Sequence, residues 1–317
     1  MAAPITDITS LANLVQAVVD RKVRLALTLL PQFRAIADTR PDAQAMPGSS
    51  VTFNTVPNLA KAITPLTDGV DPAGVSLANT VQATVTLNRY GNFTVITKTL
   101  QEFAFDLNLM GNIANKIAYN QVDTIDTIVE TVLSVGTQVI KEISGVTTVG
   151  GATIGITATD LIKMRDIDLA VGKMERAGVL PYDGQNFVCY IDPLVANDLK
   201  HETGELGWRY PNNYGTGDGM TGLITGELGI FGRVRFVQTP RSSHAATGAA
   251  GINVYQTYVI GAEALAEVVA EEFHVVMDGV VVDPLNIKNP IGWTGVAGWG
   301  LYRPESLWRI ETACAAG

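Results

Sequence analysis

Along residues 51–97 apolar side chains recur at every second position, and along residues 99–132 at every third or fourth. The first rhythm alternates faces of an extended chain; the second lines one face of a helix. Val51 and Phe53 alternate with Thr52 and Asn54, and Val81, Ala83, Val85 and Leu87 alternate with Gln82, Thr84, Thr86 and Asn88. The second run predicts a half-exposed strand of about 27 Å at ~3.3 Å per residue. Arg89-Tyr-Gly-Asn92 is expected to interrupt it before residues 93–97 resume extended. Residues 65–74 are rich in Pro, Gly and Asp, so the two runs form a long β-hairpin. A two-stranded ribbon is marginal alone in water and needs a partner surface.

Thr99 and Glu102 have capping-box spacing ahead of Leu100, Phe103, Leu107, Met110, Ala114, Ile117, Gln121, Ile125, Ile128 and Val132. No proline interrupts, and the spacing predicts some ~35 residues of helix, roughly 50 Å long: a spine. Upstream, residues 1–47 carry short helical spacings stopped by Pro31, Pro41 and Pro47. That piece is too broken to own a core and reads as an arm lying on something else. Downstream, residues 145–155 read as a Gly/Thr/Val linker, and Thr159 starts a helix that ends at Gly178. A short strand over 186–191 and a helix opened by Asp192-Pro193 follow. Strands are expected at 232–237, 255–260, 267–277, 280–282 and 308–312, with a turn at Asp278-Gly279 and a small-residue loop over 242–251.

Length and charge then narrow the class. A chain of 317 residues with 47% hydrophobic and 17% charged side chains implies at least two packed lobes. Polar residues and glycines break every apolar run, so no membrane helix is expected, and the N-terminus lacks a secretion signal, which points to a cytoplasm. Cys189 and Cys314 have no partners at metal spacing and read as small buried hydrophobes. A net charge of −9 argues against a protein that grips nucleic acid. Residues 1–100 carry 8 basic against 6 acidic side chains, whereas residues 101–150 carry 2 against 6 and residues 255–317 carry 3 against 8. A basic front and an acidic remainder could complement one another between copies.

Enzymatic motifs fail on context. Gly217-Asp-Gly-Met-Thr-Gly222 has the dinucleotide spacing but follows a polar loop (208–215) and has no surrounding βαβ unit. His201-Glu202 begins like a zinc-protease motif, but Glu205 stands where the second histidine is required. His201, His244 and His274 sit in unlike settings, and Glu271-Glu272 and Asp166/Asp168 read as solvated faces. The expectation is therefore no enzyme, with no catalytic, cofactor-binding or metal residues and no cofactor.

Several strings, in order, carry a resemblance: Gly48-Ser-Ser-Val-Thr-Phe53, Leu66-Thr-Asp-Gly-Val70, Arg89-Tyr-Gly91, Asp123-Thr-Ile-Asp126, Tyr190-Ile-Asp-Pro193, Gly226-Glu-Leu-Gly-Ile-Phe-Gly-Arg-Val-Arg-Phe-Val237 and Asp283-Pro-Leu285. With the order of elements, they make the chain resemble tailed-bacteriophage major capsid proteins of the Hong Kong 97-like fold, in the branch of the N-four-like and many actinobacterial phages. The resemblance implies an α+β chain with an N-terminal arm (1–49), an extended loop (50–98), a spine helix of the P-domain (99–147), an A-domain (148–254), and P-domain strands with the C-terminus (255–317). It implies a structural protein that self-assembles as hexamers and pentamers into an icosahedral virion head, made in the bacterial host cytoplasm. The head encloses double-stranded DNA without binding it specifically.

In that reading the extended loop lies over a neighbouring subunit, and the basic arm and loop (Arg21, Arg24, Lys61, Arg89) meet an acidic neighbouring spine. Scaffolding, portal and decoration proteins are further implied partners, the scaffold being a separate protein or absent, since the chain has no long acidic helical preamble. Some relatives cross-link Lys to Asn between subunits; Lys61 has no identifiable Asn partner and reads as a solvated or interface charge. The rivals are an encapsulin-type nanocompartment of the same fold, a nucleotide-binding enzyme built on the glycine loop, and a decoration protein.

Overall fold

The computed structural model of the chain describes residues 31–40, 48–103 except 62, 67, 72 and 73, 109–202 except 151, 227–277 and 287–315. Its strands are β1 (Asp38–Arg40), β2 (Ser50–Thr55), β3 (Val81–Thr86), β4 (Asn88–Thr97), β5 (Val139–Ile143), β6 (Val146–Val149), β7 (Phe187–Ile191), β8 (Glu227–Phe231), β9 (Val234–Gln238), β10 (His244–Ala245), β11 (Val254–Ile260), β12 (Leu265–Met277), β13 (Lys288–Leu301) and β14 (Leu307–Thr312). Its helices are α1 (Lys98–Phe103), α2 (Leu109–Ser134), α3 (Met164–Arg176) and α4 (Pro193–His201). Helices and strands mix as the α+β expectation requires.

One sheet runs β6-β5-β14-β11-β7-β9-β8, with β10 beside β11. Its interior strand β7, between β11 and β9, is buried at every position, as a strand covered on both faces must be. Phe187, Cys189 and Ile191 face a core with Met164, Ile167 and Met174 of α3 and Val195 and Leu199 of α4. Val188 and Tyr190 face the other way, into a core with Ile125, Val129 and Leu133 of the spine helix α2. A second sheet, β1-β12-β13-β4, shares that core through Leu265, Val269, Ala297 and Trp299. The spine helix is therefore wedged between two sheets, and burial along both of its flanks holds it there.

The periodicity of α2 is right and its phase is slightly off. Ile117 and Ile125 are buried as expected, but the deepest C-terminal positions are Val129 and Leu133 instead of Val132. The N-terminal part of the expected stripe is exposed: Leu100 and Phe103 belong to the separate helix α1, and Phe103 is 82% exposed. α2 has 26 residues, about 39 Å at ~1.5 Å each. Residues 104–108, where one continuous helix was expected, lie outside the described residues. The cap also moves, because α1 begins at Lys98 and Thr97 Oγ1 accepts from the Leu100 amide at 3.3 Å.

Other elements depart from the sequence reading for local reasons. Arg89-Tyr-Gly-Asn92 does not interrupt a strand; β4 runs through it, paired with β13 from Asn88 to Thr97, and the break falls at Leu87. The supposed linker begins in the turn of a hairpin and holds its second strand β6, paired with β5; the turn residues Ser144 and Gly145 both have positive φ, the geometry of a tight hairpin turn. The helix expected from Thr159 begins at Met164, since Asp160 accepts from the Thr157 and Gly145 amides at 2.7 Å instead of opening a helix. β13 was missed, because its glycines resemble a loop. They are needed there: a Cβ on Gly295 would lie 2.4 Å from the Phe273 ring, which covers that position. The strand expected at 280–282 and its turn lie outside the described residues.

Sheet membership also cuts across the sequence boundaries at 147/148 and 254/255. β5, β11 and β14 all pair in the eight-stranded sheet, whereas β12 and β13 pair in the four-stranded one. The C-terminal strand returns because Leu307, Trp308 and Ile310 find their apolar partners there.

A coreless N-terminal third is likewise corrected for part of its length. Phe33 has no exposed surface, packs 5.2 Å from Tyr190 and stands edge-on to Tyr258 at 6.0 Å. Phe33→Ala is expected to cost about 3–5 kcal/mol in urea unfolding. Phe103→Ala, at an exposed site, should stay within about 0.5 kcal/mol.

Candidate assembly surface

β2 and β3 form a two-stranded antiparallel sheet with Ser50 opposite Thr86 and Thr55 opposite Val81. Their alternation matches the sequence: Val51, Phe53, Ala83 and Val85 turn inward while Thr52, Asn54 and Thr84 face out. At its root the ribbon lies on β13, where Val85 is buried with Val268 and flanked by Val51, Phe53 and Leu87. Phe53 stands edge-on to Tyr302 at 5.5 Å. Two glycines make the seat. A Cβ on Gly298 would come 2.3 Å from the Thr86 carbonyl oxygen, and one on Gly300 would come 2.8 Å from Val85 Cγ2.

Beyond its root the ribbon has no apolar cover among the described residues. Val56, Leu59, Ile63, Leu66, Val70, Val75 and Leu77 are each more than half exposed, and Ile63 is 86% exposed. Isolated exposed apolar residues are ordinary, but a contiguous series marks an interaction surface or an aggregation hazard. Lys61 lies exposed in the same stretch. Of the basic residues assigned to an acidic neighbour, Arg89 instead pairs with Glu271 of its own chain at 2.8 Å, and Arg21 and Arg24 lie outside the described residues.

The segment before the ribbon is held by a clamp that sequence reasoning passed over. Asp126 of α2 has no exposed surface, and its Oδ1 accepts from the amides of Gln32, Phe33 and Arg34 at 3.1, 2.7 and 3.2 Å. Arg241 Nε lies 2.9 Å from Asp126 Oδ2, a charge contact without hydrogen-bond alignment, and Arg241 also pairs with Asp123. Arg34 reaches the buried Glu267 of β12, with Nε–Oε1 at 2.9 Å. Next to the clamp, burial pushes the Glu130 carboxyl above its ordinary range while it accepts from Tyr258 at 2.6 Å. The string Asp123-Thr-Ile-Asp126 was the one signal that could have pointed here.

The remaining sequence candidates scatter. His201 lies at the end of α4 with Nδ1 2.8 Å from the Asn197 carbonyl, His244 stacks on Tyr255, and His274 lies 3.0 Å from the Glu272 carbonyl. Glu202 accepts from the Met164 amide at the start of α3, and residues 203–226, with the glycine string and Glu205, lie outside the described residues. Asp166 is not a solvated face: it is fully buried. Among the described residues no cluster of His, Cys, Asp and Glu is disposed to hold a metal ion, and no helix is long and apolar enough to cross a membrane.

The seat makes a prediction. Gly298→Val must lift residues 85–86 off β13 and should cost about 1–3 kcal/mol in urea unfolding. Gly74→Ala, with nothing within 4 Å of the added carbon, should be near neutral.

Comparison with known proteins identifies the architecture. A family model described as phage capsid protein matches residues 80–310, and no curated protein matches. The capsid of Cyanophage Pam1 has a TM-score of 0.70 at 13% identity, covering 99% of this chain and 100% of that one. The capsid of Ralstonia phage GP4 gives 0.71 at 12%, covering 99% and 98%. That of Cyanophage P-SCSP1u gives 0.67 at 15%, covering 95% and 94%. At such identities the structures speak to fold, while the family model spans well over half of the sequence. The chain belongs to the phage capsid protein family.

Proposed function

We propose that this chain is the major capsid protein of a tailed phage and builds an icosahedral head as hexamers and pentamers around double-stranded DNA. The observation that carries the assembly reading is the ribbon: it is seated firmly at one end and bare of cover over residues 56–80. Burying seven large aliphatic side chains would contribute on the order of 10 kcal/mol at ~1.5–3 kcal/mol each before entropy is subtracted, and a second copy of the chain can supply the surface. In this reading the ribbon lies over a sister subunit. The eight-stranded sheet with α3 and α4 forms the lobe around capsomer centres, and the four-stranded sheet with α2 forms the peripheral lobe.

A net charge of −9 suits a container whose contents must slide, since a basic wall would hold DNA by salt-dependent contacts. The matching strings support the N-four-like branch, and scaffolding, portal and decoration proteins are the partners such a head implies. The matched family is a phage one, which favours a head over an encapsulin-type compartment.

The hairpin register supplies a clean test. Thr55 and Val81 are paired, so residues 56–80 can be replaced by a two-residue Asn-Gly turn without disturbing β2 or β3. The shortened subunit should unfold at the same urea concentration as the full chain, yet remain as unassembled subunits or capsomers under electron microscopy where the full chain forms shells. Shells of normal size from the shortened chain would overturn the reading.

A further inference from the structure

Beneath the hairpin β5–β6, two buried carboxyl groups converge on one hydroxyl. Thr147 Oγ1 lies 2.6 Å from Asp166 Oδ1 and 3.1 Å from Glu142 Oε2, and both acidic residues have no exposed surface. A threonine hydroxyl has a single proton and can donate to only one of them. If both carboxyls were ionised, the other contact would set two lone pairs against each other between carboxyls that are themselves withdrawn from water. A proton on Asp166 removes the conflict. Asp166 Oδ1–H donates to Thr147 Oγ1, Thr147 donates to Glu142 Oε2, and Asp166 Oδ2 still accepts from the Lys163 amide at 3.0 Å.

We propose that Asp166, Thr147 and Glu142 form a buried proton-binding site, and that loss of its proton to water loosens the hairpin β5–β6 from helix α3.

The charged groups around the site divide as this requires. Lys163 Nζ pairs with the other oxygen of Glu142 and donates to the Gly145 carbonyl in the hairpin turn at 3.1 Å, so one cation is matched by one carboxylate. Glu202, at the end of α4, is occupied by the Met164 amide, and Asp160 by the Gly145 and Thr157 amides. Asp168 is a further acid on α3, its carboxyl raised by burial. No second cation faces Asp166 among these groups, so its ionisation adds an unmatched negative charge beside Glu142. Consistent with that, burial above all, with Glu142 adding to it, raises Asp166 from 3.8 to about 6.

The direction of the pH effect follows. A carboxyl that holds its proton more tightly in the folded chain stabilises the fold fully below its unfolded value. That stability declines as pH rises above 3.8 and is gone above about 6. The hairpin is the element that responds, because Glu142 and Thr147 are its cross-strand pair and the Lys163 contact holds its turn. Loosening it would uncover Ile143, which packs against Ile156 and Val254. The inference concerns the folded chain alone and stands whether or not the chain forms shells.

Amide hydrogen exchange on the full chain tests it, after correction for the intrinsic pH dependence and with α2 as internal reference. Protection of residues 139–149 should fall relative to α2 as pH rises from about 4 to about 6 in the native chain, and level off above that. In Asp166→Asn it should stay flat and high, because the amide donates to Thr147 as the protonated acid does. Glu142→Gln should also flatten the profile by removing the like charge. A native profile without the fall overturns the proposal even if neither variant folds. A fall that persists unchanged in either folded variant overturns it as well.

Discussion

Asp126 is a carboxylate without exposed surface in the middle of the spine helix, and two distant parts of the chain meet on it. Three consecutive amides at residues 32–34 point at one of its oxygens, and Arg241, from the loop after β9, covers the other. A buried charge of this kind is tolerable only while every partner is in place; removing one leaves it uncompensated at a cost of about 3–5 kcal/mol. Geometry thus becomes obligatory. The arm must enter over α2, and Arg34 is thereby delivered to Glu267 so that β1 can pair with β12.

That fixed entry gives the ribbon a defined origin. The chain leaves β1, and by residue 50 it has reached β2, whose hairpin partner β3 is pressed on the glycine seat of β13. Among the described residues, Phe33, Ile36 and Val85 are buried within the subunit, whereas the large aliphatic side chains between Val56 and Leu77 are exposed. In the proposed assembly this division has a use: a root whose direction is set internally, and a tip whose energy would be released on contact with a sister subunit. The apolar tip is then a designed incompleteness, in contrast to the edge protection a monomeric protein would show.

Much of this was legible in the sequence, and the misses have physical causes. The period-two runs located β2 and β3, and the period-three-to-four run located α2, because each element buries one face. Asp192-Pro193 and Gly178 marked helix ends correctly, the first by accepting from the Leu194 amide and the second by its positive φ. β13 was invisible because its glycines serve close approach to Phe273 and Val85, which depends on residues far away in sequence. Asp166 looked like a surface acid, and the burial of Asp126 went unread, because nothing local distinguishes a buried carboxylate from a solvated one. The strand expected at 308–312 is β14, but its pairing with β11 and β5 is encoded by no local pattern.

The bare tip is where the account is most exposed to measurement. Hydroxyl-radical labelling read by mass spectrometry reports side-chain accessibility directly. Applied to assembled particles and to subunits dissociated from them, it should find Ile63, Leu66 and Val70 strongly labelled in the subunits and protected in the particles, with buried Val129 and Leu133 unlabelled in both. Equal labelling of residues 56–80 in the two states would mean that no sister molecule covers them, and the account would be wrong.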